Sequence, residues 1–414
     1  MRLQLSGSRR RLLAIACAAL LVGVIGVGVY FVLSIERQLA ESSDRIVVEV
    51  DELRVPEHDG VTLWMPDQPA RDVEPFAGGV YAATASGLCV YDDHGHLTKR
   101  FTTLDGLPEN ALTCLERFDG QLFIGTEHSG MLAYDGQRFV RYRFVKPSSQ
   151  RVTALRAING RLLVGTFENG LFEYDGADFS RDFQRVAGPT AKCVTAILDE
   201  GPRVFVGTFD HGLFEWREGS VKHVGSGEGL PSDRVTALCL SGQALLVGTD
   251  RGVGRIDSND TVATIDGTAN VTGVAMSGPE TWVSSLTSGV RRIEGLDGGL
   301  VTRPASLSVG TPGGTPAANG LKREDGILWS LRDDGLYTSI KDGEPARFER
   351  FDEPGNDGPS TTAGHVSGLA LDGAGRLWVG LFDGGVSVLD ADSGAGVWRF
   401  ATPEVQEVNA VVAA

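Results

Sequence analysis

A short phrase returns along this chain about eight times, at intervals of roughly 40 residues. It consists of an apolar run, Gly-Thr, two or three polar residues, a glycine and a second apolar run. A repeat of this length, built from short strands, is typical of one blade of a β-propeller. The sequence therefore predicts an all-β protein, a propeller of four-stranded blades. The clearest copies begin with Leu122–Thr126, Leu162–Thr166, Val204–Thr208 and Leu245–Thr249, and looser copies begin at Val80, Trp282, Leu328 and Leu377.

The copy that starts near Arg234 shows how one blade is built. Its strands A to D are predicted at Val235–Leu240, Ala244–Gly248, Val253–Asp257 and Val262–Ile265. Strands A and B are apolar runs because both faces of a blade pack on neighbouring blades. In most copies the second position of strand A is Thr or Ser and the third is small. A ring of hydroxyl groups near the channel is one interpretation, and strand propensity alone is the other.

The ends of the repeat predict how the ring closes. Eight copies favour eight blades, with seven as the alternative. Residues 408–414 have the pattern of strand A, but no strand B follows them, whereas the strand B at Val80–Thr84 comes after a poor strand A that Pro75 interrupts. We therefore expect a propeller over residues 72–414 that its C-terminal strand closes beside Val80–Thr84. A truncated chain is the other explanation.

The N-terminal segment predicts one transmembrane helix. Leu12–Leu33 carries no charge, and at about 1.5 Å per residue a helix of this length crosses the hydrocarbon core. Arg9, Arg10 and Arg11 directly precede it, which places the N-terminus in the cytoplasm and the large body outside. A cleavable, twin-arginine or lipoprotein signal fits the segment less well. The expected organisation is a cytoplasmic N-terminus (1–11), a signal anchor (12–34), a stalk and lead-in (35–71) and the propeller (72–414).

Charge and cysteine content exclude several functional classes. Four of the 38 basic residues lie before residue 36, which leaves 34 basic and 54 acidic groups, or 34 − 54 = −20, for the rest of the chain. Such a body repels phosphate backbones, so no nucleic acid is expected as a partner. The five cysteines include no Cys-x-x-Cys pair, which argues against a zinc site or a redox motif. We expect no cofactor.

Phrases between the blades carry a resemblance to a known family. Asp105–Asn110 reads DGLPEN and Gly227–Asp233 reads GEGLPSD, each leading into a strand A, and Leu371–Gly380 reads LDGAGRLWVG. Over about residues 72–414 the chain resembles the two-component regulator propeller repeat. The resemblance implies a sensing propeller in the periplasm, usually joined to a membrane-spanning kinase module. The sequence shows no histidine-kinase or receiver segment, so the resemblance extends to the propeller without the kinase module and implies a separate kinase for any signal.

Carboxylates recur in the turns between strands B and C, and these turns form the predicted binding site. In a propeller they share one face with the loops between blades, so the acids would form a broken ring around the channel mouth, a shallow concave site for a cationic ligand. Two phenylalanines that directly follow strand B would add apolar contacts. The alternative is that polar residues merely suit turns and the phenylalanines pack between blades. The predicted ligand-binding residues are Glu127, His128, Phe167, Glu168, Phe209, Asp210, His211, Asp250 and Asp383.

No catalytic arrangement is visible in the sequence. It contains no nucleophile elbow, P-loop, dinucleotide fingerprint or EF-hand loop. His94 and His96 lie close together, but Asp92–His96 is more typical of a turn than of a metal site. We therefore predict a single-pass protein of the inner (cytoplasmic) membrane, not an enzyme, whose propeller binds a protein or small-molecule ligand on the periplasmic or extracellular side. Two alternatives stay open: a propeller lyase or hydrolase acting on an envelope or polysaccharide substrate, and a scaffold in an envelope assembly complex.

Overall fold

The computed structural model describes residues 46–55 and most of 70–400. Its longer gaps are 181–190 apart from residue 187, 295–300, 308–317, 340–346, 351–365, 372–375 and 391–395, and beyond residue 338 only the backbone of the strands is described. The elements are β-strands joined by turns, including 3₁₀ turns at Thr103–Asp105 and Ser226–Glu228. The predicted all-β fold is confirmed.

The strands form eight sheets. The first strand in the chain, β1 (Val47–Glu52), belongs to the sheet of the second blade. Blade 1 contains β2 (Asp72–Phe76), β3 (Gly79–Thr84), β4 (Gly87–Tyr91) and β5 (Leu97–Phe101). Blade 2 contains β6 (Leu112–Phe118), β7 (Gln121–Thr126), β8 (Met131–Tyr134) and β9 (Phe139–Lys146). Blade 3 contains β10 (Val152–Ile158), β11 (Arg161–Thr166), β12 (Gly170–Tyr174) and β13 (Phe179–Ser180). Blade 4 contains β14 (Val194–Glu200), β15 (Arg203–Thr208), β16 (Leu213–Arg217) and β17 (Ser220–Val224).

The second half of the chain repeats this pattern. Blade 5 contains β18 (Val235–Ser241), β19 (Ala244–Thr249), β20 (Gly252–Ile256) and β21 (Val262–Asp266). Blade 6 contains β22 (Val271–Ser277), β23 (Glu280–Ser285), β24 (Gly289–Glu294) and β25 (Val301–Pro304). Blade 7 contains β26 (Ser306–Leu307), β27 (Ala318–Glu324), β28 (Ile327–Arg332), β29 (Gly335–Ser339) and β30 (Arg347–Arg350). The eighth sheet contains β31 (Val366–Leu371), β32 (Arg376–Leu381), β33 (Gly385–Asp390) and β34 (Gly396–Phe400).

Seven blades close the ring. The innermost strands of successive blades pack side by side in chain order, and β27 of blade 7 then packs against β2 of blade 1. Trp329 of blade 7 shares a buried apolar cluster with Ala82 of blade 1. Lys322 Nζ lies 3.0 Å from a carboxylate oxygen of Asp72 and 2.9 Å from one of Glu74. The ring thus has seven blades, the alternative number, and not the favoured eight. The repeated phrase occurs once in each sheet, and the eighth sheet comes after the closed ring in the chain.

The predicted closure by the C-terminal strand is wrong. β2 pairs with β3 along its whole length, from Asp72 opposite Ala83 to Phe76 opposite Gly79, and so occupies the place expected for residues 408–414. Pro75 is accepted in β2 because this strand is the inner edge of its blade, where a missing N–H breaks no ladder on the channel side. Residues 408–414 lie outside the described residues.

The Gly-Thr phrase is explained by the close approach of neighbouring blades. A Cβ atom at Gly207 would lie 2.5 Å from Cγ1 of Val235, the first residue of the next blade's strand A. The equivalent glycines of blades 3 and 5 meet the next blade in the same way. The Thr208 hydroxyl donates to the carbonyl of Gly212 at 2.8 Å and fixes the turn between strands B and C. Glycine is therefore required where two blades touch, and threonine where the chain turns.

The Gly-Leu-Pro phrases join one blade to the next. Gly106 (φ +98°) and Gly229 (φ +112°) end the two 3₁₀ turns in the left-handed region, which favours glycine. Leu107 and Leu230, which follow them, are 3% and 4% exposed and belong to apolar clusters shared by two successive blades. The residues that carry the family resemblance thus connect blades structurally.

An additional strand extends blade 2. β1 lies beside β9 at the outer edge of this blade. Three ion pairs join this edge to β1: Arg138 with Glu52 at 2.7 Å, Arg141 with Asp51 at 2.7 Å, and Arg143 with Glu49. Part of the segment predicted as a stalk is therefore a strand of the propeller. Within the described part of the chain, no helix has the length and apolarity that crossing a membrane requires, and the predicted anchor at 12–34 lies outside that part.

Candidate functional site

One face of the ring carries the turns between strands B and C together with the loops that enter strand A. In blades 2 to 6, the N–H of the residue after strand B donates to the carbonyl of the residue before strand A. We call these ten residues the mouth. The pairs are Glu127–Ala111 (3.0 Å), Phe167–Arg151 (3.1 Å), Phe209–Cys193 (2.8 Å), Asp250–Arg234 (3.4 Å) and Leu286–Asn270 (3.1 Å).

The carboxylate of Glu127 is neutralised by two arginines. Its oxygens lie 3.2 Å from Arg151 and 3.6 Å from Arg71. The next residue, His128, is exposed and is held by Glu109, whose carboxylate accepts its backbone N–H at 2.6 Å and lies 3.2 Å from its Nδ1. At blade 2 the mouth therefore carries balanced charge instead of a free acid.

An aromatic pair lies at blades 3 and 4. The rings of Phe167 and Phe209 meet edge to face with their centroids 5.7 Å apart. The guanidinium of Arg151 lies 4.7 Å from the first centroid, and that of Arg234 lies 4.1 Å from the second. Both rings are half-buried. Aromatic faces that carry guanidinium groups offer a ligand apolar contact and hydrogen-bond donors together.

Three predicted residues lie one or two positions farther along the turns. Glu168, Asp210 and His211 are all exposed. Asp210 Oδ1 lies 2.8 Å from His211 Nδ1, so these two neighbours pair with each other. Asp383 lies outside the described residues. Of the predicted set, Glu127, Phe167, Phe209 and Asp250 belong to the mouth.

The arginines that precede strand A belong to this face but were not among the predicted site residues. Arg151 and Arg234 stand immediately before β10 and β18, and Arg71 immediately before β2. The signal was present, because the same position of three repeats is arginine. These arginines turn the expected acidic ring into a mouth of mixed charge.

A cavity of about 310 Å³ opens at the mouth and is lined by residues of blades 4 to 7. Its wall combines an aromatic ring, a cation, an acid and hydroxyl groups, and it extends to the second position of four strands A. Its lining includes Phe209, Arg234, Thr236, Asp250, Asn270 and Leu286.

A belt of hydroxyl groups runs below the mouth. In four blades the second residue of strand A is a threonine whose hydroxyl donates to a carbonyl of the next blade. The accepting carbonyl is that of the first residue of strand A in that blade. In blade 1, Arg71 donates to the equivalent carbonyl, that of Leu112, at 3.2 Å. The threonine ring expected near the channel is therefore present and has a structural role. The hydroxyl bonds are Thr113 to Val152 (2.6 Å), Thr153 to Val194 (2.6 Å), Thr195 to Val235 (2.7 Å) and Thr272 to Ala318 (2.6 Å).

Thr236 is the exception in this belt. Its Oγ1 is shielded from solvent and forms no hydrogen bond with the described residues. Oδ1 of Asp250 is in the same state, and both residues line the same cavity. A buried polar atom without a partner costs about 1–3 kcal/mol, so the hydroxyl of Thr236 does not stabilise the ring as those of the other four threonines do.

A second charged cluster joins blades 7, 1 and 2. Besides its ion pairs across the ring closure, Lys322 approaches Glu116 of β6 closely enough to stabilise its carboxylate. Burial outweighs this attraction and raises the pKa of Glu116 to about 7. This cluster supports closure of the ring, and its glutamate titrates near neutral pH.

The remaining reactive groups have structural explanations. The four described cysteines are free, and burial raises the pKa of Cys114 to about 12 and that of Cys239 to about 11, so these thiols are unreactive. Oxygen and nitrogen atoms of Asp92, Asp93 and His94 lie within 4.8 Å of one another and could hold a metal ion. However, Asp92 Oδ1 already accepts the backbone N–H groups of His94 and His96 at 2.9 Å each, which fits the predicted turn.

Comparison with known proteins agrees with the fold. No protein-family profile matches the sequence, and no curated protein matches it significantly. Two similar solved structures are extracellular domains of hybrid two-component system proteins of B. thetaiotaomicron, each 17% identical, with TM-scores of 0.54 and 0.53. They cover 84% and 83% of this chain, whereas this chain spans 48% and 47% of theirs, about half their length. At this identity the likeness establishes the β-propeller architecture, the same architecture that the repeat resemblance implies.

Proposed function

We propose that this protein is a sensory β-propeller of the cell envelope that binds a ligand at its mouth. The observation that carries the proposal is the aromatic pair Phe167–Phe209, with a guanidinium on each ring, beside a cavity of about 310 Å³. A rigid ring can vary such loops without disturbing its fold, which is how many scaffolds present binding sites. The solved neighbours are extracellular domains of two-component proteins, which supports a sensory function outside the cytoplasm.

The proposal includes the membrane topology. Residues 12–34 anchor the protein, the propeller lies on the outer side of the inner membrane, and a separate kinase receives the signal. The arginines before the apolar segment support this orientation. Labelling of single-cysteine variants in intact cells with a membrane-impermeant maleimide tests it, because an outer propeller is labelled at an exposed position such as Gly136→Cys. Labelling only after the cells are lysed would contradict the proposed side.

The binding site is tested with a small-molecule library and the full-length protein. Thermal-shift hits should lose their effect in the Phe167→Ala/Phe209→Ala variant, because both aromatic rings of the mouth are removed. The matched control is His94→Ala/His96→Ala, which changes an exposed turn at the opposite end of strand C. Hits that shift both variants equally would place binding away from the mouth.

A further inference from the structure

An open cleft lies between blades 3 and 4, at the opposite ends of the strands from the mouth. It has a volume of about 360 Å³, a size typical of small-molecule sites, and its lining includes Asn159 and Gly201 from the turns between strands A and B of the two blades. We propose that this cleft binds the ring of a small, uncharged aromatic molecule. The inference goes beyond the proposed function, because the cleft is separate from the mouth and is tested independently of it.

The equivalent positions of the two neighbouring blades carry a phenylalanine. The third residue of strand B is Phe123 in blade 2, Leu163 in blade 3 and Phe205 in blade 4. Between blades 4 and 5, where Phe205 is 4% exposed, the cleft has only about 20 Å³ of free space. Leu163 has no ring, so the space that a phenyl group takes in the neighbouring clefts is open between blades 3 and 4.

Blades 2 and 3 show how an aromatic ring is held at this position. The ring centroid of Phe123 lies 6.0 Å from that of Tyr174 in strand C of the next blade, and 5.8 Å from that of Phe118. The register of strands B and C makes Trp216 of blade 4 the equivalent of Tyr174. Trp216 is half-buried and lines the open cleft. An aromatic ligand therefore meets an indole there as Phe123 meets the ring of Tyr174, and pairs of aromatic rings are more stable than their apolar area alone implies.

The rest of the wall is apolar with one compensated charge. Ile158 is half-buried and Pro202 is exposed, and both line the cleft. Arg161, whose side chain is 54% exposed, lies 3.1 Å from the buried carboxylate of Glu173, and these two are the charged residues of the lining. The lining thus has no net charge, while the guanidinium keeps further N–H donors for a hydroxyl or carbonyl oxygen. These groups select an uncharged aromatic molecule with a hydrogen-bond acceptor.

The test uses p-cresol as the probe on the full-length protein at neutral pH, in a titration followed by NMR of the ligand. We expect saturable binding, and 4-methylcyclohexanol, which has a similar size and a hydroxyl group but no aromatic ring, should bind several-fold more weakly. Leu163→Phe should abolish binding, because it supplies the ring that blades 2 and 4 have at this position, and the variant should melt no lower than the parent. Val50→Phe is the matched control, because it adds the same ring at a site on β1 that is 58% exposed and outside the cleft, and it should leave Kd unchanged.

Trp216→Leu gives a second test that does not depend on the folding of Leu163→Phe. It should weaken binding of p-cresol by about fivefold or more, because the indole supplies the contact between rings. No saturable binding of p-cresol up to its solubility limit, an unchanged Kd in Leu163→Phe or Trp216→Leu, or equally tight binding of 4-methylcyclohexanol would overturn the proposal. The proposed function is judged separately, by hits that depend on Phe167 and Phe209.

Discussion

The hydroxyl belt allows a stability test in which the same Thr→Val substitution, made at two equivalent positions, should have different effects on stability. Thr195 and Thr236 occupy the same position of strand A in adjacent blades, 4 and 5. Thr195 donates to the carbonyl of Val235 at 2.7 Å, whereas Oγ1 of Thr236 forms no hydrogen bond with the described residues. We expect Thr195→Val to destabilise the propeller and Thr236→Val to leave it unchanged or stabilise it.

The magnitude follows from the two environments. Loss of the Thr195 bond costs about 1 kcal/mol net, and up to about 3 kcal/mol if the carbonyl is left without a donor. Thr236→Val removes a shielded hydroxyl that has no partner, so it returns between zero and about 1 kcal/mol of stability. Threonine and valine have the same shape and both favour strands, so packing and propensity contribute little to the difference. For a chain of this size the two midpoints should differ by about 1 to 6 °C.

The assay is a thermal melt of each full-length variant beside the parent, without added ligand. The informative quantity is the difference between the two variants, because effects common to any Thr→Val change cancel in it. Equal destabilisation of both would show that Thr236 has a hydrogen bond after all.

Three further outcomes are expected. Gly207→Ala should lower the melting midpoint strongly, because a Cβ atom there would lie 2.5 Å from Val235. Gly227→Ala should leave the midpoint unchanged, because a Cβ atom there meets no atom within 4 Å. Equal midpoints of the two variants would show that close packing of the blades does not require glycine at position 207. Burial raises the pKa of Glu116 to about 7, so the protonated side chain stabilises the folded state fully below its unfolded pKa, and this stability is lost as the pH rises to about 7. Glu116→Gln should therefore melt at a higher temperature than the parent at pH 8 and at the same temperature at pH 4. A difference in melting temperature that does not change with pH would contradict this. Deleting residues 366–414 should leave the ring folded, and circular dichroism that shows an unfolded chain would contradict closure by blade 7.

Strand positions could be predicted from the sequence because their determinants are local. For blade 5 the predicted strands agree with the structure within one residue at each boundary, since Gly-Thr and the turn glycines mark the ends. Ring closure could not be predicted in the same way. Pro75 made β2 look like a broken strand, but an inner edge strand tolerates a proline, and no local pattern shows which sheet packs against blade 1.

The mouth was predicted in part. Phe167, Phe209, Glu127 and Asp250 lie at the rim because the turn after strand B has a fixed place in every blade. The pairing of Glu127 with Arg151 could not be read from the sequence, since the arginine comes from a loop more than 20 residues away along the chain. Which carboxylate stays free depends on such contacts across the ring, and repeat analysis treats all turns alike.

Ring closure also has a consequence for folding while the chain is being synthesised. Lys322 and Glu74, which meet at the closure, are 248 residues apart, and the two blades that they join share no strand. At about 5–20 residues per second, roughly 10 to 50 s pass between the appearance of the two partners. During this interval the apolar flank of blade 1, with Val73 and Ala82, has nothing to pack against. Substitutions on this flank should therefore reduce the yield of folded protein through aggregation of the growing chain, even where the melting temperature of the finished ring is unchanged.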